Sequence, residues 1–373
     1  MSTPADGRDA LLFTPGPLTT SITVKEAMLS DAGSRDSSFI QMVCDIRRRL
    51  VVLARADPKV YTTVLMQGSG TFGLESVLSS TVPPAGKILV VVNGAYGRRI
   101  VEMAKMLGID THVLEVAEVE TPLPADVDAI LEADDSITHV CVTHCETTTG
   151  IINPVAEIGE IVQRHRRLFF VDAMSSFGAV PLNVEEAHID YLVSSANKCI
   201  EGVPGFSFVI AHIEALEATK GFARSLSLDL RAQHLGLETN GQFRFTPPTH
   251  ALRAFHRALE ELDDEGGVEG RADRYRANYE TLVDGTRRLG FTELLDRSDQ
   301  GYIITSFRYP EHSNFSFEGF YERLGDRGFL IYPGKVTNAD CFRVGTIGRI
   351  FPDDVAALLS AMSEVLDEME IQL

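Results

Sequence analysis

Short apolar runs alternate with amphipathic stretches between about residues 60 and 212 of this 373-residue chain. The apolar runs are rich in Val and Ile, which favours strands, whereas the stretches between them repeat apolar residues at helical spacing. Strands that alternate with helices predict a mostly parallel sheet covered by helices. The runs predicted as strands are VYTTVLM, KILVVVN, THVLEV, ITHVCVTH, RLFFVDAM, IDYLVSSA and FSFVIAH.

The pattern changes after about residue 248, where a long amphipathic stretch leads into further apolar runs, IITSFRY, FLIYPG and CFRVGTIG, and a final amphipathic helix. We therefore expect an α/β fold with a large domain at 21–248 and a smaller α/β domain at 249–373. Residues 1–20 are expected to contribute to the smaller domain and to the active site. The segment at 261–270, ELDDEGGVEG, is more typical of a turn that ends a helix than of a flexible linker.

Composition and charge exclude several classes of protein. No apolar run approaches the roughly 20 residues of a membrane-spanning helix, and the start, MSTPADGRDALLF, lacks the features of an export signal. We expect a cytoplasmic protein that binds no membrane. The formal charge of −19 argues against a nucleic-acid-binding surface. If the substrate is an anion, a few arginines must reverse the sign of the field locally.

The five cysteines are scattered and form no CxxC pair, which fits a reducing compartment. Cys141, His144 and Cys145 are close in sequence and raise the question of a metal site. They lie in a predicted strand, however, where alternation puts the two cysteines on one face and the histidine on the other. We predict no metal site.

The most informative residue is Lys198, which follows an apolar strand in SSANKCIEGVPGF. A lysine there either extends to solvent or does chemistry with a lowered pKa. Asp172 ends another apolar run, at the edge where open α/β sheets hold ligands, although a turn or cap role is the alternative. An amine that forms a Schiff base and a carboxylate that keeps a ring nitrogen protonated are the groups a pyridine-based cofactor needs.

A third component is the segment QGSGTFGLESVL, in which Ser69, Gly70 and Thr71 follow a strand and open a helix. Free amides and the positive end of the helix dipole suit a phosphate there. A simple strand-to-helix turn is the alternative. The segment has no Walker lysine and does not match GxGxxG, which argues against nucleotide binding.

Segments along almost the whole chain resemble the class V aminotransferases of fold type I. The Asp-to-Lys spacing and SSANK are general to that family, whereas RSLSLDL, HCETTTG and YPGKV with DCFRVG resemble its phosphonate branch more specifically. The other matching segments are TPGPLTTSITVKEAML, VLMQGSGTFGLESVL, NGAYGRRI, VDAMSSFGAVP and RFTPPTH.

The resemblance implies that pyridoxal 5'-phosphate is the cofactor. Lys198 would carry it as a Schiff base and later move the proton of the substrate carbon, and Asp172 would pair with the ring nitrogen. The residues that would hold the phosphate are Ser69, Gly70 and Thr71.

Four further positions match residues that surround the cofactor in the family. Tyr96 would stack on its ring, with core packing as the alternative, and Thr147 would bond its ring hydroxyl. Asn197 would lie near the phosphate. Thr246 resembles a residue that reaches the phosphate from a neighbouring subunit, which implies a homodimer with shared active sites.

Arg343 resembles the arginine that binds the acidic group of both substrates, and its planar fork suits a carboxylate or a phosphonate. A structural salt bridge is the alternative. Gly16, in TPGP, is expected to border the substrate. One segment departs from the phosphonate branch. At 32–39 this chain has AGSRDSSF where that branch has an aromatic and acidic stretch, and the segment is closer to that of the alanine–glyoxylate aminotransferases. Arg35 within it either adds a second positive charge to the site or lies on the surface.

The resemblance to the phosphonate branch implies a transfer of the amino group of 2-aminoethylphosphonate to pyruvate, which yields phosphonoacetaldehyde and L-alanine in phosphonate catabolism. The alternative keeps the fold and the cofactor but uses another donor and acceptor, such as a substituted aminoethylphosphonate, or alanine or serine with glyoxylate.

Overall fold

The computed structural model describes residues 9–373. The first eight residues, which belong to the proposed 1–20 segment and to the start examined for an export signal, lie outside the described residues. The strands are β1 Leu11–Leu12, β2 Tyr61–Gln67, β3 Lys87–Val92, β4 Asp110–Glu115, β5 Ile137–Thr143, β6 Cys145–Glu146, β7 Ile151–Ile152, β8 Leu168–Asp172, β9 Tyr191–Ser195, β10 Phe206–His212, β11 Ile304–Arg308, β12 Phe329–Leu330, β13 Tyr332–Pro333 and β14 Cys341–Gly345.

The helices connect and cover these strands. They are α1 Ile22–Glu26, α2 Ser37–Leu53, α3 Gly70–Thr81, α4 Ala95–Met106, α5 Pro124–Ala133, α6 Val155–Arg164, α7 Ile213–Glu217, α8 Leu230–Asn240, α9 Thr249–Asp264, α10 Gly267–Arg288, α11 Phe317–Asp326 and α12 Pro352–Glu368. None of the helices within residues 9–373 is long and apolar enough to span a membrane.

A seven-stranded sheet forms the centre of the larger part, in the order β2-β10-β9-β8-β5-β3-β4. All seven strands match runs predicted from the sequence, and β10 alone runs antiparallel to its neighbours. The expectation of a mostly parallel sheet is confirmed. Because the other six strands point the same way, their carboxyl ends share one edge of the sheet.

Helix α3 packs closely on β9 and β10 because Gly73 leaves room for the sheet. A Cβ atom at Gly73 would lie 2.7 Å from the Ser207 hydroxyl and 2.9 Å from a Val193 methyl. This close approach fixes the start of α3, at residue 70, over the carboxyl ends of β2 and β9.

A second core lies against a three-stranded antiparallel sheet in the order β11-β14-β13, and helices α10, α11 and α12 cover it. Its buried side chains include Phe307, Phe342 and Leu358, together with Phe13 from the beginning of the chain. Strand β1 joins this part by pairing in parallel with β12. The N-terminal segment is therefore packed against the last quarter of the chain.

The acidic and glycine-rich segment at 261–270 is a tight turn between two helices. Helix α9 ends at Asp264, and Gly266 adopts a left-handed conformation with φ of 97° before α10 begins. The predicted helix-ending turn is confirmed. Helix α10 buries the polar side chains of Arg271, Tyr275 and Asn278 in addition to apolar ones such as Leu282.

Candidate active site

The carboxyl-terminal edge of the large sheet collects residues from five strands or the loops that follow them. Asp172 is the last residue of β8, and Lys198 follows β9 by three residues. Ser69 precedes α3 directly after β2, Tyr96 lies in the first turn of α4 after β3, and Thr147 follows β5 and β6. The topology therefore gathers residues that are far apart in sequence.

The amine of Lys198 lies against the N-terminal segment. Its Nζ donates a hydrogen bond to the carbonyl of Pro15 at 2.6 Å. Gly16 adopts φ of +124°, and a Cβ atom there would overlap the same nitrogen. Burial lowers the pKa of Lys198, although Tyr96, Cys199 and Asp172 act in the opposite direction. The amine is therefore easier to deprotonate than an exposed lysine.

The carboxyl group of Asp172 is buried and lacks a cationic hydrogen-bond partner within residues 9–373. It accepts a hydrogen bond from the Met174 amide at 2.9 Å. Burial raises the pKa of Asp172 to about 6, and Glu146 contributes to this rise, whereas the Met174 amide opposes it. A buried carboxyl group in this state is suited to receive a cation, such as a protonated ring nitrogen.

The start of α3 offers unpaired donors. Ser69 occupies the N-cap position, and its hydroxyl makes no capping hydrogen bond. The amides of Phe72 and Gly73 donate to the Ser69 carbonyl, whereas those of Gly70 and Thr71 make no backbone hydrogen bond within the described residues. A Cβ atom at Gly70 would overlap the Met174 sulfur, so this position is closely packed. Met174 also contacts Asp172, because its amide donates to that carboxylate. An anion bound at Gly70 would therefore lie near Asp172.

Arg343 reaches the same edge from β14. Its Nε donates to the Pro333 carbonyl at 3.0 Å, and its Nη1 donates to the Thr147 carbonyl at 2.8 Å. The guanidinium is buried, and it forms no ion pair within the described part of the chain. The structure therefore gives no support to a structural salt bridge, and the positive charge of Arg343 remains available.

Tyr96 is surrounded by cations. Lys335 Nζ lies 4.2 Å from the centre of its ring, and the Arg99 guanidinium carbon lies 5.0 Å from it. Burial acts to raise the pKa of Tyr96, but the Thr147 hydroxyl and the charges of Lys335, Lys198 and Arg343 together lower it below the ordinary value. Tyr96, Thr147 and Arg343 are thus brought together as neighbours.

Glu146 supports this arrangement, although the sequence analysis assigned it no role. Its buried carboxylate accepts hydrogen bonds from the amides of Tyr96 at 3.2 Å, Gly97 at 3.3 Å and Thr148 at 3.0 Å. The carboxylate therefore caps the amino end of α4 and fixes the backbone of Tyr96. HCETTTG contains this glutamate, but sequence alone does not show that it faces a helix terminus.

Comparison with known proteins agrees with this geometry. The family model for class V aminotransferases matches residues 24–325. The chain belongs to the class V aminotransferase family. It is 52% identical over 357 residues to proteins of Salmonella paratyphi C (strain RKS4594) and Salmonella typhimurium (strain LT2) that are named 2-aminoethylphosphonate–pyruvate transaminase. The match covers 95% of this chain and 97% of each relative.

Solved structures show the same fold for this class V aminotransferase. Ureidoglycine–glyoxylate aminotransferase from Bacillus subtilis superposes with a TM-score of 0.89 at 23% identity, covering 100% of this chain and 96% of that protein. Pyridoxamine–pyruvate aminotransferase from Mesorhizobium loti gives 0.88 at 23% identity, covering 99% and 95%. The expected fold-type I architecture of the aminotransferase is confirmed.

Two residues predicted for the site lie together in a neighbouring cleft. Arg35 and Thr246 line it with Ser34, Gln242 and Arg244, and neither Lys198 nor Arg343 borders it. The Thr246 carbonyl accepts a hydrogen bond from the side chain of Gln67, two residues before Ser69. The structure therefore places Arg35 beside Thr246 and not beside Arg343 of the same chain.

A buried ionic network lies behind Lys198. Arg271 Nη1 donates to the Cys199 carbonyl at 2.5 Å, and its Nε donates to Glu265 at 2.8 Å. Glu201, at φ of 65°, accepts from Tyr275 at 2.7 Å and from Arg274 at 2.7 Å. Helix α10 of the aminotransferase thus holds the backbone that follows Lys198. Asn197 adjoins Lys198, and its side chain makes no hydrogen bond to residues 9–373.

Proposed function

We propose that this class V aminotransferase binds pyridoxal 5'-phosphate and moves the amino group of 2-aminoethylphosphonate to pyruvate, which yields phosphonoacetaldehyde and L-alanine in phosphonate breakdown. The observation that carries the proposal is the 52% identity, over nearly the full length of both chains, to proteins named for this reaction. The convergence of Lys198, Asp172 and Arg343 at one sheet edge supplies the groups that the chemistry requires.

The residues at this edge fit pyridoxal phosphate. Asp172, a buried carboxyl group without a cationic partner within the described residues, suits a protonated ring nitrogen. Ser69 and the free amides of Gly70 and Thr71 suit the phosphate. Tyr96 and Thr147, which are side-chain neighbours at this edge, would flank the ring and its hydroxyl. When bound, the cofactor supplies an aldehyde that condenses with amines and a ring that accepts the electrons of a breaking C–H bond.

Lys198 moves the protons of the reaction. Burial lowers its pKa below that of an exposed lysine, which makes Nζ easier to deprotonate, so the same nitrogen can take a proton from the substrate carbon and return it. The contact with Pro15 and the close approach of Gly16 limit where this nitrogen can lie. Such positioning reduces the entropy cost of proton transfer.

Arg343 binds the acidic group of each substrate in turn. Its backbone contacts with Thr147 and Pro333 hold the guanidinium in place without neutralising its charge. Because the phosphonate donor and the carboxylate acceptor use this same cation, the first product leaves before pyruvate binds. Ping-pong kinetics follow from this shared site.

The proposal includes a homodimer in which Thr246 contributes to the phosphate site of the partner subunit, with Arg35 beside it. Large exposed apolar side chains support an interface near the cleft that these two residues line. They are Phe72, Leu226 and Phe245, with exposures of 51%, 74% and 44%. Phe245 lines that cleft and also a second cleft formed with Phe72 and Gln67. Apolar groups of this kind are stabilised by burial against a second copy.

An absorbance titration tests the proposal. Purified protein reconstituted with pyridoxal phosphate should show a band near ~420 nm, which gives way to one near ~330 nm when 2-aminoethylphosphonate is added without a keto acid. Pyruvate should then restore the first band and yield alanine. A protein that shows no band with the cofactor would contradict the role of Lys198.

A panel of donors separates the proposed substrate from the alternatives. Alanine, serine and 1-hydroxy-2-aminoethylphosphonate are added one at a time to the loaded protein, and the rate of the spectral change is compared. We expect 2-aminoethylphosphonate to react with the highest kcat/KM. If another donor reacts faster, the protein is still an aminotransferase, but 2-aminoethylphosphonate is not its preferred donor.

A further inference from the structure

Lys335 is a cation of the active-site edge that has no acidic partner. Its Nζ lies over the Tyr96 ring at 4.2 Å from the ring centre, and it forms no ion pair within residues 9–373. The charges of Lys198 and Arg343 also act on Tyr96, and the Arg99 guanidinium carbon lies 5.0 Å from its ring centre. In a chain with a formal charge of −19, these cations around one aromatic ring form a local positive region.

Part of the donor capacity of Arg343 is already used. Its Nε and one N–H of Nη1 donate to the carbonyls of Pro333 and Thr147, which leaves the second N–H of Nη1 and the two of Nη2 without a main-chain acceptor in the described chain. A carboxylate has two oxygens and one negative charge. A phosphonate has three oxygens and carries up to two negative charges, so the single positive charge of Arg343 leaves part of its charge uncompensated.

The loop that carries Lys335 is fixed at both ends. Gly334 donates from its amide to the Cys341 carbonyl at 2.8 Å, and this contact keeps the loop beside β14. Thr337 donates to Glu118 from its amide at 2.7 Å and from its hydroxyl at 3.0 Å. Glu118 is held in turn by Arg98 at 2.5 Å. Lys335 is therefore positioned two residues after Pro333, whose carbonyl orients Arg343.

We propose that Lys335 is the second cation of the substrate-anion site and favours the phosphonate donor over the carboxylate acceptor. The proposal rests on the proposed function and deepens it by separating how the two substrates are recognised. Lys335 leaves the face of Tyr96 to contact a phosphonate oxygen that Arg343 does not reach. Pyruvate, with its smaller charge, is held by Arg343 without this contact.

The test compares Lys335→Met with Lys220→Met, which removes an exposed lysine elsewhere and so reports the effect of overall charge. Calorimetry on the cofactor-loaded protein measures Kd for ethylphosphonate and for propionate, which are unreactive analogues of the two acidic groups. In Lys335→Met, we expect the Kd of ethylphosphonate to rise about 10- to 100-fold, the range for loss of a hydrogen bond to a charged group. The Kd of propionate should change by less than about 3-fold.

Steady-state kinetics provide a second readout. In Lys335→Met, the KM for the phosphonate donor should rise while the KM for pyruvate and kcat stay close to the wild-type values, since only ground-state binding of the donor is lost. Lys335→Arg should restore most of the affinity for ethylphosphonate. Lys220→Met should bind both analogues as the wild type does.

Two results would overturn the proposal: equal loss of affinity for both analogues, or unchanged affinity for ethylphosphonate. Equal loss would mean that Lys335 acts only through the general field of the site. The proposed function fails by a different result, namely a wild-type protein whose ~420 nm band is unaffected by 2-aminoethylphosphonate. The two failures are therefore distinguishable in the same preparations.

Discussion

Arg271 donates a hydrogen bond to the carbonyl of Cys199 at 2.5 Å, one residue beyond Lys198. Arg271 is fully buried, and Glu265 and Glu201 lie at 2.8 Å and 3.3 Å from its guanidinium. The two glutamates thus compensate the charge of Arg271, while one of its N–H groups donates to the backbone next to Lys198. Helix α10 contributes an internal support for the active site, although no residue of α10 was predicted to act there.

The first prediction concerns this ion pair. Arg271→Met leaves Glu201 and Glu265 buried with Arg274 as their remaining strong partner, so we expect the free energy of unfolding to fall by about 3 kcal/mol, at the lower end of the range for breaking a buried pair. Urea unfolding measures the change. Arg288→Met, an exposed substitution on the same helix, should change stability by less than about 0.5 kcal/mol. Equal effects of the two substitutions would contradict the stabilising role of the network.

The second prediction uses the close approach of Gly16 to Lys198. In Gly16→Ala, the added methyl group must displace the lysine amine, and we expect kcat to fall about 100-fold, as for a misplacement of about 1 Å. Gly221→Ala is the matched control, because Gly221 also has a positive φ, of +89°, but nothing lies within 4 Å of the added carbon. Both variants should lose some stability through backbone strain. Loss of activity in both would show that strain, and not the contact with Lys198, is responsible.

The third prediction concerns the pH dependence that Asp172 introduces in the cofactor-free protein. Burial in the folded protein raises the pKa of Asp172 to about 6 from its ordinary value of 3.8, which applies to the unfolded chain. Between these values the unfolded chain releases a proton that the folded protein keeps, so stability decreases as pH rises from about 4 to about 6. Above this window the loss is complete, at roughly 3 kcal/mol or less.

Asp172→Asn removes this penalty. Without cofactor, the variant should be more stable than the wild type at pH ~8, and the difference should vanish below pH ~4, where the carboxyl group is neutral in both states. The variant should also bind pyridoxal phosphate about 10-fold or more weakly, since the charged partner of the ring nitrogen is gone. Thermal unfolding across this pH range and a cofactor titration measure the two effects. A variant less stable than the wild type at pH ~8 would contradict the assigned pKa shift.

The fourth prediction tests whether the subunits share their sites. A heterodimer of one Lys198→Ala chain and one Thr246→Asp chain, isolated with two affinity tags, has one intact site if Thr246 acts across the interface. It should show about half the activity of a wild-type dimer. If Thr246 acts within its own chain, both sites are damaged and the heterodimer is inactive.

Arg35 can be examined in the same heterodimer design. A heterodimer of one Arg35→Glu chain and one Lys198→Ala chain should show about half the wild-type activity, as the Thr246→Asp heterodimer does, since Arg35 and Thr246 line one cleft. A heterodimer of Lys198→Ala and Asp172→Ala chains is the control, because these residues lie in the same site of the same chain. Each of its two sites lacks one of these residues, so it should be inactive whether or not Thr246 and Arg35 act across the interface.

The sequence predicted the strands of the large sheet well, because each is an uninterrupted apolar run, and hence it also predicted which motifs meet at one edge. The orientation of β10 was not predictable, since an apolar run has the same pattern in either direction. Glu146 and Arg271 were missed because a buried charge is recognisable only once its partners are known, and these come from distant segments. Lys335 was within a matching motif, but its position over Tyr96 depends on the fold of β13 and β14.

The placement of Arg35 required the structure as well, because the departure at 32–39 has no pattern that fixes its neighbours. The division of the chain at residue 248 stays a prediction. The roles of Thr246 and Asn197 stay predictions too, because they depend on a partner subunit and on a bound phosphate.

The pairing of β1 with β12 has a consequence for the synthesis of the protein on the ribosome. Leu11 is made long before its partner strand, which begins at Phe329, and Pro15, the acceptor for Lys198, lies three residues after β1. Asp172 and Lys198 are translated long before this N-terminal segment can be fixed over them. A nascent chain therefore leaves the Lys198 amine without this contact until β12 has been made, and a chain truncated before Phe329 should lack the anchored segment that contacts Lys198.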